Sequence, residues 1–160
     1  MASDIFAKIG DIKGESLDDK HKDEVEVLSF SWGVTNDGSM RGGSGGGEGK
    51  ASFHDLSFVH NLDKASPVLM QACATGVHMK EATITHRKAG KLQHEFMIVK
   101  MNDVIITSVT HGGSTGDSGY SENVSLAFAK VDLDYKRQKP DGSLDAGVHF
   151  KYDIKGNKEG

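Results

Sequence analysis

Apolar residues recur at every second position in several short runs of this chain. That two-residue period marks strands with one covered face. Runs rich in Val, Ile, Thr, Phe and Tyr at Asp4–Ile9, Glu24–Val34, Ala51–His60, His78–Lys88, Gln93–Met101, Val104–Thr110, Ser121–Tyr135 and Val148–Ile154 are expected as strands. Turn-forming groups separate them: Asn36-Asp37-Gly38, Ala89-Gly90-Lys91, Gly112-Gly113-Ser114 and Pro140-Asp141-Gly142. Short strands punctuated in this way predict an all-β barrel or sandwich. Lys88-Ala89-Gly90-Lys91 reads as a hairpin turn. Phe96–Val99 is apolar at every position, so that strand is expected to be covered on both faces.

One segment departs from the period of two. Ser66–Gly76 carries helix punctuation, with Ser66 as the expected N-cap, Pro67 at the first helical position and Gly76 as the left-handed stop. Leu69 and Cys73 lie four apart and share a face, which points Cys73 toward the core as a small buried hydrophobe. One helix cannot cover much sheet, so the strands are expected to close on themselves or to pack as two sheets, with the helix at one end or on one outer patch. Strand edges left over would need pairing, and a second copy of the chain could supply it.

The run Glu24–Val34 changes phase. Val25 and Val27 are followed by Leu28, Phe30, Trp32 and Val34, which predicts a bulge or bend near Val27-Leu28. Beyond it, Leu28, Phe30, Trp32 and Val34 are expected to face the interior. Ser29, Ser31 and Gly33 then form a smooth polar strip on the opposite face.

A length of 160 residues fits one domain spanning 1–160, large enough to fold on packing alone. The single cysteine excludes an internal disulfide and suits a reducing cytoplasm. The formal net charge of -4, with acids and bases interspersed and no basic stripe, argues against nucleic acid as a partner. Glu15–Glu26 mixes acids with Lys20 and Lys22 and reads as a solvated loop. The first residues lack a basic start followed by an apolar stretch, so no secretory signal is expected. No apolar run approaches the roughly 18 residues of a membrane span. The expectation is a protein that begins in the cytoplasm, does not insert in membranes, and needs a dedicated machine if it is to leave the cell.

Three motifs suggest chemistry and fail on context. The loop Arg41–Lys50 ends in Gly49-Lys50 as a phosphate loop does. Ser44 stands where that motif needs its first glycine, Ala51 replaces the magnesium-binding hydroxyl, and a strand rather than a helix follows. Gly42-x-Ser44-x-Gly46 and Gly112-x-Ser114-x-Gly116 match the nucleophile elbow of hydrolases, but lie in glycine loops between strands. The eight histidines show no metal-ligand spacing. No catalytic, cofactor-binding or metal residues are therefore assigned, and an enzyme is not expected. Flexible glycine loops on a rigid scaffold suit interaction instead.

Several segments are familiar in order and spacing. Asp4-Ile5-Phe6-Ala7-Lys8-Ile9-Gly10 through Ser16, Val27-Leu28-Ser29-Phe30-Ser31-Trp32-Gly33, the glycine loop ending at Lys50, and His54-Asp55-Leu56-Ser57-Phe58 come first. Ser66-Pro67-Val68-Leu69-Met70, Thr115 to Gly119 with Ser121–Leu126, and Val131-Asp132-Leu133-Asp134-Tyr135 before Pro140-Asp141-Gly142 follow. Together they resemble the haemolysin-coregulated (Hcp) family, the inner-tube proteins of bacterial type VI secretion. The resemblance implies a β-barrel of two sheets with one short α-helix, assembling as a homohexameric ring. Stacked rings would form a tube driven out of the cell by a contractile sheath and tipped by a VgrG-like spike protein, with small effector proteins carried in the lumen. On this resemblance Ser31, with Ser29 beside it, is expected to line the lumen. The loop of Gly42, Gly43, Ser44, Gly45, Gly46, Gly47, Glu48, Gly49 and Lys50 would reach the next ring. The alternative is a monomeric β-sandwich binding module using Trp32 and the glycine loops, and a solution mass separates the two.

Overall fold

The computed structural model describes residues 2–36, 51–116 and 119–160. It contains eleven strands and one helix among those residues. In chain order these are β1 (Ser3–Ile9), β2 (Val25–Val27), β3 (Ser29–Ser31), β4 (Val34–Asn36), β5 (Ala51–Phe53), β6 (Leu56–Asn61), α1 (Ala65–Thr75), β7 (His78–Lys88), β8 (Glu95–Gly112), β9 (Ser121–Tyr135), β10 (Val148–Asp153) and β11 (Lys158–Glu159). The main sheet is antiparallel and runs β2-β1-β7-β8-β9-β10-β11. β9 is long enough to carry two neighbours on one edge. Its first half pairs with β6, which pairs with β3, while Lys130–Tyr135 pairs with β10. The ladder is not closed. The chain itself spans the gap, leaving β2 beside β1 and entering β3 beside β6, with Leu28 N–H donating to the Val59 carbonyl (2.8 Å).

The core follows from the alternation. Ile9, Leu56, Phe58, Leu69, Ile84, Val99, Met101, Ile106, Val124 and Leu126 are fully buried in one cluster, joined by Ala65 and Ala72 of the helix. α1 packs against β8, so a single core serves sheet and helix alike. Cys73 is half-buried against that core, on the side shared with Leu69.

Four local expectations are corrected. Gln93–Met101 and Val104–Thr110 form one strand, β8. Asp103, between the two runs, takes a left-handed φ of 53° while Asn102 and Val104 stay paired with Lys130 and Phe128. Asp adopts that region at lower cost than most residues, so an unbroken ladder outweighs it. The helix begins two residues early: Lys64 occupies the N-cap, and Asp63 rather than Ser66 accepts the Ala65 N–H (2.8 Å). The Ser66 hydroxyl is turned back to accept the Asp63 N–H (3.1 Å). Gly76, at φ 66°, ends the helix as expected. Residues 96–98 are only half-buried and Val99 alone is buried, so the covering of Phe96–Val99 on both faces is incomplete in a single chain.

The fourth correction concerns the segment from Glu15 to Glu26, which is a strap rather than a solvated loop. Asp18 accepts two hydrogen bonds from the buried Arg87 guanidinium (2.9 and 2.7 Å), and Asp4 accepts a third (3.1 Å). His21 is buried, stacks on Phe6, and sits between Glu24 and Glu95 at 2.9 and 2.8 Å. Backbone bonds from Gly14 to Asp23 and from Ser16 to Glu24 close the strap. Asp18 and Glu24 therefore serve specific pairs, while Asp19, Lys20, Lys22 and Glu26 stay exposed.

Candidate assembly surface

The phase change at Val27-Leu28 is real, and its form is a change of neighbour. β2 ends at Val27 and β3 begins at Ser29 on the other edge of the sheet. Phe30 and Trp32 turn to the core, as the alternation requires. Leu28 and Val34 do not: they are 59% and 49% exposed, which corrects the expectation of one interior face from Leu28 to Val34. Leu28 lies at the crossing, where the backbone passes between two ladders. Val34 lies in the separate β4-β5 ribbon, which pairs with no third strand among the described residues.

Ser29 and Ser31 are both exposed. The registers show what lies beside them. Ser31 pairs with Ser57, Ser57 with Ser125, and Ser125 with Ser108, so one row of four serines crosses β3, β6, β9 and β8. Ser57 and Ser125 hydroxyls are hydrogen-bonded at 2.8 Å. The next row is Ser29, Val59, Asn123 and Thr110. Side chains paired across an antiparallel sheet share a face. This outer face is therefore lined mainly by small hydroxyl and amide groups, with Val59 among them, while Phe30, Phe58 and Val124 from the same strands face inward. Ser57, Ser108 and Ser125 were not singled out from the sequence. The signal was present in the alternating Ser121, Asn123, Ser125 of β9, but only the register aligns them with Ser31.

Beneath one end of this face lies a polar row, buried at His60 and Glu122 and open to solvent at His111. His60, Glu122 and His111 are paired across β6, β9 and β8. The Glu122 carboxylate is fully buried and is held by His60 Nε2 (2.7 Å) on one oxygen and by His111 Nε2 on the other. Asp63 lies 3.9 Å from His60 Nδ1, and burial raises its carboxyl above the ordinary range. Two imidazoles on one buried carboxylate tie three strands together, and Asp63 extends the tie to the start of α1.

The roots of the glycine loop are fixed by aromatic rings. β4 and β5 pair Val34 with Phe53 and Asn36 with Ala51, a two-stranded ribbon from which the intervening segment leaves. Phe53 packs on Phe150 (6.3 Å between centroids) and Tyr152 (5.0 Å), and Trp32 packs on Phe128 and Phe150. Gly42–Lys50 itself, with the first serine-glycine motif and the phosphate-loop motif, lies outside the described residues. The second serine-glycine motif begins at the last residue of β8 and leads into β9, so the strand-to-helix turn of a nucleophile elbow is not formed there. Among the described residues no three His, Cys, Asp or Glu side chains are grouped to hold a metal ion.

Comparison with known proteins decides the family. A sequence profile described as "Type VI secretion system effector, Hcp" matches residues 6–135. The chain belongs to the Hcp family. It is 48% identical to protein hcp1 of Pseudomonas aeruginosa over 159 residues, 98% of each chain. The crystal structure of Hcp1 from Salmonella typhimurium shares 40% identity and superposes with a TM-score of 0.81 over 99% of both chains. A solved type six secretion system protein at 29% identity superposes with a TM-score of 0.94, covering 99% of this chain and all of that one. The mainly-β fold with one short helix is thus the Hcp fold. Family membership also makes this a type VI secretion protein, a class defined by export rather than by a catalysed reaction. Among the described residues no helix is long and apolar enough to cross a membrane.

Proposed function

We propose that this chain is a structural subunit of the type VI secretion tube, not an enzyme. Six copies close into a ring, rings stack into the exported tube, and the lumen carries small effector proteins. The observation that carries this reading is likeness to Hcp proteins over essentially the whole chain. The surface supports it in two ways. The exposed hydroxyl face around Ser29 and Ser31 suits a lumen, because small polar groups hold a passing protein weakly, and six weak contacts add up on one cargo. Val148, Phe150 and Tyr135 are exposed on the paired strands β9 and β10 (71%, 38% and 45%), an apolar surface that a neighbouring subunit would cover. Gly42–Lys50 is the segment that reaches the next ring. A contractile sheath and a VgrG-like spike are the remaining partners, and export proceeds through the apparatus.

Heterologous contacts repeated around an axis close into a ring when the rotation permits. Light scattering after gel filtration should therefore return about six times the 17.2 kDa chain mass. A stable monomer at micromolar concentration would overturn the tube reading in favour of a single-chain binding module.

A further inference from the structure

Beside α1 runs a groove that the tube reading does not use. Its volume is about 1040 Å³, and α1, β7 and the end of β1 line it. The floor is apolar, built from Ile12, Val68, Ala72, Val77 and Met79. Two of these are well exposed, Val68 at 48% and Val77 at 46%, and Gln71, Thr75, His78 and Thr83 complete the lining. The rim is basic. Lys8, Lys13, Lys64 and Lys80 stand around it, all exposed, and none forms an ion pair with a described residue. Of the two acids at the rim, Glu81 is already paired with Lys100 (3.6 Å), leaving Asp11. A locally basic, apolar-floored groove on a chain of net charge -4 is a departure from the average surface.

We infer that this groove is a docking site for an acidic amphipathic segment of a partner protein, apolar on one side and carrying Asp or Glu on the other. Charge complementarity selects the occupant: desolvated apolar contacts give affinity, and unpaired lysines at the rim give sign and register. The lysines come from separate places, one on β1, one in the loop after it, one capping α1 and one on β7. Such spacing suits acids distributed along a segment. The eleven residues of α1 offer about 16 Å of wall, room for roughly three turns of a partner helix.

Anisotropy of a labelled synthetic helix of about 14 residues, with Leu at i, i+3, i+4 and i+7 and Glu elsewhere, measures this directly on the full chain. The acidic helix should bind, and more weakly as salt rises. The same helix with Lys in place of Glu should not bind. Val68→Glu should weaken binding at least about tenfold, since it places a carboxylate on the apolar floor facing other carboxylates. Lys13→Glu with Lys80→Glu should abolish binding of the acidic helix and admit the lysine helix. Both variants alter exposed positions, so melting temperature and solution mass should match the native chain. The inference fails if acidic and basic helices bind alike, or if Val68→Glu leaves the affinity unchanged. It also fails if phosphatidylglycerol vesicles bind while the helix does not, which would make the groove a lipid site. If Val68→Glu dissociates the native assembly, the groove is a subunit contact and the inference is again wrong. The native mass is measured separately, so that result leaves the tube reading standing.

Discussion

At the scale of single residues, two buried cations-in-waiting are handled in opposite ways. His86 is packed between Phe30 (4.4 Å between ring centroids) and Phe96 (6.1 Å), and burial pulls its pKa down to about 4. The unfolded chain would take up its proton near pH 6.5, so between pH 6.5 and 4 the unfolded state binds more protons. Stability from the neutral ring is thus complete above pH 6.5 and is lost as the pH falls to about 4. Urea unfolding of native protein should show this slope, and His86→Leu should flatten it, because the buried Nε2 has no partner to lose. Arg87 is equally buried but stays charged, since Asp18 and Asp4 bond its fork and Phe6 lies under it at 4.9 Å. Hydrogen bonding to Arg87 holds the Asp18 carboxyl down at about 2, so this pair persists well into acid and is lost only as the pH approaches 2. Asp18→Ala leaves the guanidinium buried with Asp4 alone. A loss of about 3 kcal/mol, the low end for breaking a buried pair, is expected in denaturant titration.

At the scale of elements, the strap 14–24 shows how a polar segment becomes part of the scaffold. Its closure depends on close backbone approach. A Cβ on Gly14 would lie 2.5 Å from the Glu24 carbonyl oxygen, and backbone cannot step aside as a flexible side chain can. Gly14→Ala should therefore push the strap away from β2, costing about 1–3 kcal/mol as overpacking does. Hydrogen exchange should quicken at Gly14, Ser16 and Asp23, whose amides close the strap. If exchange there is unchanged, the strap is held by Arg87 and His21 alone. β8 makes the complementary point. Its eighteen residues keep one ladder through a left-handed Asp103 and a register shift between Ile106 and Ser108. The irregularities re-aim side chains without ending the strand.

At the scale of the whole molecule, the hydroxyl face is the surface on which the proposed lumen rests. Ser31→Gln adds bulk to an exposed position whose row neighbours are small, so melting temperature and ring mass should stay at native values. Accumulation of co-expressed effector proteins should fall, since each ring would present the change six times. Ring dissociation in Ser31→Gln would instead make this face a subunit contact. Much of this molecule is written along the chain. Periods of two, glycine turns and the Gly76 stop specify strands, connections and helix end, because backbone sterics and side-chain alternation are local physics. Absence of ligand spacing among the histidines, and the order of segments that identifies the family, are likewise legible from residues alone. Other features exist only once distant strands meet. The serine row needs Ser31, Ser57, Ser108 and Ser125 to fall into register, and the Arg87 cradle needs Asp18 brought to β7 from 69 positions away. Leu28 reads as interior from alternation and ends at the surface, because it sits where the chain crosses between two ladders. Alternation assigns a residue to a side of its own strand, and only the partner strands decide whether that side is covered.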